Sequence, residues 1–251
     1  MFFGHPLDTI KTRMMQDSGR YRGNLDCALN TLRNEGIRGF WKGLGPPMAS
    51  IAVYQAVIFA AFSVSLPVFT DKPEETAELT PLFLAGCVAG LATVPITTPT
   101  DLIKIRLQLQ TEASGRYKGP IDCVTSIIRK EGLKGMFRGG WVTACRDSYS
   151  SGLYFVSYHQ SKRLLAPFDL LLPNELISGG IAGICAWGSI IPLDVIKTRV
   201  QAGNLSIIEA TRSVVANGNT SAFFRGSGAL LSRAFVVNAV TFYVYEHLWR
   251  M

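Results

Sequence analysis

The chain has 251 residues, 48% of them hydrophobic and 17% charged, with a positive mean hydropathy of +0.22. Soluble domains devote about a quarter of their residues to charge, so this composition argues against a soluble fold and against a disordered chain. The 25 Lys and Arg exceed the 18 Asp and Glu by seven, and five cysteines scattered over this length argue against a disulfide scaffold.

From the N-terminus, Met1 to Pro6 shows no basic start, long apolar run or cleavage site of a secretory signal, and no Arg-rich amphipathic presequence. The membrane address is therefore expected in the helices themselves. Pro6-Leu7-Asp8-Thr9-Ile10-Lys11-Thr12-Arg13 comes next, then a polar amphipathic stretch at Leu25 to Arg33, then Trp41-Lys42-Gly43. Gly43 to Thr70 is 28 residues without a formal charge, and Leu79 to Thr100 is another 22. A hydrocarbon core about 30 Å thick takes about 20 helical residues to cross, so both read as membrane spans. A second amphipathic stretch, Ile121 to Lys130, leads to Phe137-Arg138-Gly139. The following segment, Gly139 to His159, is apolar but broken by Arg146 and Asp147. Leu176 to Leu193 is a third uncharged run, of 18 residues. A third amphipathic stretch, Leu205 to Ala216, precedes Phe224-Arg225-Gly226, and Gly226 to Tyr245 is broken by Arg233. An ion inside a span faces a bundle interior or a water-filled cavity.

The same pattern occurs three times. Pro6, Pro99 and Pro192 are spaced by 93 residues, and each opens a Pro-x-Asp-x-x-Lys-x-Arg motif. The aromatic-basic-Gly markers follow at 37, 40 and 34 residues from proline to glycine. The repeats are placed at 1–78, 79–172 and 173–251, each an apolar helix, the proline motif, a short surface helix, the marker and a second apolar helix. Gly86 with Gly90, and Gly179 with Gly183, suit close helix packing through small residues. The Asp and Lys of each motif lie three apart on one helix face. Three copies around a threefold axis can pair the Asp of one helix with the Lys of the next, making a ring of Asp8, Lys11, Asp101, Lys104, Asp194 and Lys197.

These triplicated motifs resemble the mitochondrial carrier family, solute carrier family 25, over the whole chain. The resemblance implies an all-α membrane protein, a pseudo-threefold barrel of six transmembrane helices in the mitochondrial inner membrane, moving a small-molecule substrate by alternating access rather than catalysing a reaction. It makes Pro6, Asp8, Lys11, Pro99, Asp101, Lys104, Pro192, Asp194 and Lys197 the matrix gate. A glutamine nine residues after the proline braces that gate, giving Gln108 and Gln201, with Met15 at the first repeat's position and one brace absent. The opposite, cytosolic gate is reduced to Lys162 and Glu246, which implies a weakly locked cytosolic side and a carrier tolerant of net import. Gly23, Gly43, Gly119, Gly139 and Gly226 belong to motifs that hold cardiolipin in the family. The third repeat lacks the Tyr-x-Gly element, which puts one lipid site in doubt.

Seven residues past each marker glycine stand Ser50, Arg146 and Arg233, the positions of the family's substrate contacts. Arg146-Asp147 is similar to the pair in carriers of amino acids and carnitine. A zwitterion needs a cation for its carboxylate, which Arg grips bidentately, and an anion for its ammonium. Tyr54, Tyr149, Tyr154 and Trp187 are candidate aromatics for a methylated cation. The class implied is choline, carnitine or basic and methylated amino acids, with choline-like cations first.

No Cys/His metal set, cofactor loop or catalytic triad is present in the sequence, and the basic residues follow the threefold repeat instead of forming a nucleic-acid patch. A monomer is expected. Five residues precede the first proline where the other repeats have about 17 apolar ones, so the first helix is predicted to lack its cytosolic half. A transport-dead truncated isoform or incomplete gene model of such a carrier therefore stands beside the working transporter as an alternative.

Overall fold

A computed structural model describes residues 2, 4–16, 21–110, 117–167, 174–203, 205–216, 220–224, 226–230 and 232–233. Among them the secondary structure is helical without strands. In chain order the helices are α1 (His5–Gln16), α2 (Asn24–Glu35), α3 (Gly45–Phe69), α4 (Leu79–Leu109), α5 (Pro120–Gly135), α6 (Gly140–Leu165), α7 (Asn174–Ser189), α8 (Ile191–Gly203) and α9 (Ile207–Ala216). Short 3-10 turns lie at Ile37–Trp41 and Thr220–Phe224.

Among the described residues two helical runs are long and apolar enough to cross a membrane, Ile37–Phe69 and α4, and α7 with α8 passes the same test when taken together as one span bent by 60°. The 26-residue α6 has the length as well, but carries Arg146 and Asp147 inside it. Most of the predicted sixth span, and with it Glu246, lies outside the described residues. The three prolines do not act alike. The bend between α7 and α8 falls just before Pro192, with the Asp194 amide still bonded to the Ile190 carbonyl at 2.9 Å. By contrast α4 runs as one helix through Pro99.

Contacts group the chain into two compact units. The first takes residues 1–49, 99–138 and 195–251, so it gathers the proline-motif segments from Pro99 and Val195 onward together with α1, α2, α5 and α9. Its core is assembled in small patches: Ile10, Met14 and Cys27 between α1 and α2; Leu102, Leu107, Cys123 and Ile127 between α4 and α5; and Met15, Val195 and Val214 linking α1, α8 and α9.

The second unit takes residues 50–98 and 139–194. Its core stacks Phe62 on Phe155, with centroids 3.7 Å apart, among Ile58, Leu66, Leu82, Ala85 and Ala89. Ile58, Phe62 and Leu66 recur at the helical spacing that buries one face of α3, while Val53, Phe59, Val64 and Val68 stay exposed. A helix apolar all round is at home in lipid. Glycine lets α4 and α6 touch. A Cβ at Gly86 would stand 2.8 Å from the Gly152 Cα, and one at Gly90 only 2.3 Å from the Asp147 carbonyl oxygen. Gly179, predicted to do the same, has nothing within 4 Å among the described residues.

Candidate substrate site and gate

In α1 and α8 the motif's acid, Asp8 and Asp194, stands in the first helical turn, where the helix dipole favours it, whereas Asp101 lies inside the longer α4. In the first unit Lys104 reaches Asp8 at 2.9 Å, and Lys197 reaches Asp101 at 2.5 Å. These are pairs between one repeat's Asp and the following repeat's Lys. Arg233 also contacts Asp8, at 2.9 Å, so the first aspartate receives both a lysine and an arginine. Asp194 departs from the pattern of like pairs: it is engaged by Arg146, 2.6 Å from guanidinium Nε to Oδ1. The long arginine stem explains the difference, since it spans from α6 to the first turn of α8. Lys11 sits half-buried on α1.

The two glutamines expected as braces are both fully buried. Buried Gln108 accepts from the Thr12 hydroxyl at 2.9 Å and donates to the Thr9 hydroxyl at 3.2 Å. It thereby ties α4 to α1 one turn along from the Asp8–Lys104 pair. Gln201 donates to the Arg138 carbonyl at 3.4 Å. Met15, in place of a glutamine, is fully buried, and its sulfur lies 3.9 Å from the Thr198 hydroxyl.

A set of charges that the sequence reading left without a role lies beside this layer. The last arginine of the first motif, Arg13, donates to Thr31 at 2.9 Å, to the Glu35 carboxylate at 2.8 Å and to the Gln108 carbonyl at 3.0 Å. Lys42 of the marker also pairs with Glu35, at 2.5 Å. The second repeat copies this with Arg106 and Arg138 on Glu131, at 3.2 and 3.4 Å. In the third, Arg199 bonds the Ser213 hydroxyl at 2.8 Å. The signal was available: a Glu-Gly dipeptide recurs at Glu35-Gly36 and Glu131-Gly132, in step with the motif's final arginine. Burial pushes the Glu35 carboxyl upward, but hydrogen bonds from Arg13 and Lys42 outweigh it and hold the group below its ordinary 4.5.

The second unit holds the mixed-charge cluster. Arg146 Nη1 donates to Asp147 Oδ1 at 2.6 Å, and its guanidinium carbon stands 5.4 Å from the centre of the Trp187 ring. Asp147 Oδ2 accepts from the Thr97 hydroxyl at 2.9 Å. With Asp194, one guanidinium thus joins two carboxylates and an aromatic face, all three charged side chains being largely buried. Of the other aromatics, Tyr54 packs against the Phe62 core. Tyr154 stacks near Tyr158 and edges Phe155, and Tyr149 edges Phe83. Ser50 is half-buried near the start of α3.

At the far end of α6, Lys162 meets Glu175 of α7 at 3.4 Å, both exposed. Two groups outside the expected motif strap the same end to the 71–78 loop. His159 lies 2.9 Å from Glu74, and Arg163 donates to the carbonyls of Glu75 and Ala77. The marker glycines have a structural reason of their own. Gly43, Gly139 and Gly226 adopt φ of 79°, 74° and 85°, and a Cβ at Gly43 would stand 2.9 Å from the Lys104 carbonyl. Gly23 and Gly119 are extended, with open space where a Cβ would go.

Helices long and apolar enough to span a membrane, ion pairs at the repeated motifs and a mixed-charge cluster on α6, α7 and α8 accord with a membrane transport protein. The family model described as mitochondrial carrier protein matches residues 1–73, 75–169 and 168–251, and the chain belongs to that family. It is 39% identical to the human protein named solute carrier family 25 member 45, over 100% of this chain and 93% of that one. It is 34% identical to the Mus musculus mitochondrial carnitine/acylcarnitine carrier protein, over 98% of this chain and 88% of the relative. It is 37% identical to the Bos taurus mitochondrial basic amino acids transporter, over 95% and 83%. The protein is therefore a carrier of small-molecule solutes and not an enzyme.

Proposed function

We propose that this carrier moves a small cationic or zwitterionic metabolite of the choline, carnitine or basic and methylated amino acid class across the mitochondrial inner membrane by alternating access. The observation that carries the reading is the largely buried Arg146–Asp147 pair of α6 beside the exposed Trp187 ring of α7. A site of arginine alone would select polyanions. Carboxylates with an aromatic face select an organic cation, and arginine adds a grip for a carboxylate. Two of the relatives are named for carnitine and for basic amino acids, which supports the same class.

Arg146, Asp147 and Trp187 are the contact residues, with Ser50 and Tyr54 on α3. Arg233 enters on the repeat arithmetic. The paired Asp8, Lys104, Asp101 and Lys197, with Lys11, Asp194 and the three motif prolines, form the matrix gate of a three-repeat, monomeric carrier with boundaries at 1–78, 79–172 and 173–251. Gln108 and Gln201 steady the gate layer, and Lys162 with Glu246 serves the opposite side. Gly23, Gly43, Gly119, Gly139 and Gly226 hold cardiolipin headgroups, with Gly23 and Gly119 leaving open space for a phosphate.

Uptake of labelled choline, carnitine, lysine and trimethyllysine into cardiolipin-containing liposomes bearing the whole chain tests this. Saturable uptake of at least one is expected. Uptake of ATP or citrate with none of these four would overturn the substrate class.

A further inference from the structure

A carboxylate pair with an indole face is the chemistry that holds an organic ammonium or guanidinium. Here that seat is taken. Arg146 reaches Asp147 and Asp194 at 2.6 Å each and lies 5.4 Å from the Trp187 ring centre. We propose that Arg146 is a resident surrogate for the substrate's cationic group, and that a substrate cation binds by displacing its guanidinium from Trp187 and Asp194. The proposal rests on reading this cluster as the substrate-contact site.

The fixed and movable parts of the cluster can be told apart. Asp147 is anchored three ways. Its Oδ2 accepts from Thr97, its Oδ1 accepts from Arg146, and its carbonyl abuts Gly90 so closely that a Cβ there would come within 2.3 Å. Trp187 belongs to α7, and Asp194 to the first turn of α8, beyond the 60° bend. Arg146 alone is a long, flexible side chain whose charge lies at the end of rotatable bonds. Swinging that stem exchanges the ligand and leaves the walls of the seat standing.

Displacement has a consequence for selectivity. A guanidinium turned away from Asp194 in a largely buried place needs another anion there, because an under-compensated buried charge is costly. A substrate with its own carboxylate supplies one at the moment its cation enters. A bare quaternary ammonium does not. The device therefore favours zwitterions over simple cations, and it narrows the class toward carnitine-like and amino-acid substrates and away from choline.

Tetramethylammonium, a cation with no carboxylate, is the probe. Its binding to the whole protein in liposomes is read from the part of the tryptophan fluorescence that Trp187→Phe abolishes. Arg146→Gln is expected to bind the probe about tenfold tighter than the wild type, the scale of one desolvated cation–π contact. Arg146→Lys, which cannot join both carboxylates and the ring at once, is expected to fall between them and guards against a folding failure in the glutamine variant. If neither variant gains affinity, Arg146 is a fixed structural tie and the proposal is overturned. Uptake by the wild type without a gain in the variants rejects the surrogate and leaves the transport reading intact. A gain without wild-type uptake of any of the four solutes rejects the substrate class and leaves the surrogate.

Discussion

Asp147 donates nothing and accepts from both sides, from Arg146 and from Thr97, at 2.6 and 2.9 Å. Replacing it with asparagine keeps the volume and removes the charge. Asp147→Asn is expected to cut uptake of a cationic or zwitterionic substrate by at least about tenfold, the worth of one charge-assisted contact. Thr97→Val should produce a smaller loss through looser positioning. Initial uptake rates in liposomes, with thermal unfolding as the control for folding, read both. Unchanged kinetics in Asp147→Asn would remove this carboxylate from the mechanism. Arg146 and Arg233 were legible in the sequence because they interrupt otherwise apolar runs at matching repeat positions. Their partners were not. Arg233 meets Asp8 and Arg146 meets Asp194 because a guanidinium on a long stem can choose among several acids within reach, and repeat arithmetic fixes only where the stem begins.

The short surface helix α2 is fastened to α1 by Glu35, whose side chain is 1% exposed and receives both Arg13 and Lys42. Removing one partner of a buried pair costs about 3–5 kcal/mol, so Glu35→Gln is expected to lower the unfolding temperature markedly. The pH dependence follows from direction. Arg13 and Lys42 hold the folded carboxyl below its ordinary 4.5 despite the upward push of burial. A carboxyl depressed on folding adds stability that is complete above the unfolded pKa and is lost as pH falls through the folded one. The gap between the wild type and Glu35→Gln should therefore be full near neutrality and close below 4.5. Thermal unfolding in detergent along a pH series measures it, and a constant gap would refute the assignment. Elements were the most legible level of this molecule, since uncharged runs of 28 and 22 residues leave little alternative to α3 and α4. Proline was the weaker guide. Pro192 coincides with a 60° bend, whereas α4 is one continuous helix through Pro99.

The sequence repeats along the chain, but contacts gather by level across the repeats. Each of the two compact units draws on all three proline motifs or on the spans between them, so neither is a repeat. The proposed gate pairs join different repeats, and they are tested by exchange between repeats. Asp101 and Lys197 come from the second and third repeats and lie 2.5 Å apart, with the lysine side chain 4% and the aspartate 29% exposed. Lys197→Asp places two acids together and should abolish uptake. Asp101→Lys should do the same with two cations. The double exchange restores opposite charges across the same gap and should recover a substantial part of the rate, with a coupling of about 1–3 kcal/mol, between that of a surface pair and a fully buried one. Recovery requires that the two residues meet during transport. A residue acting only through its own helix would show additive losses, with the double variant as dead as either single one. On the proposed gate reading the tie yields in each cycle, so a bridge made stronger should slow turnover even as it raises stability. Lys197→Arg supplies that comparison, because its planar fork can hold Asp101 by two bonds where lysine holds it as a point charge. A higher unfolding temperature combined with slower uptake in Lys197→Arg would mark Asp101–Lys197 as a moving gate bridge. A gain in both would mark it as a static brace.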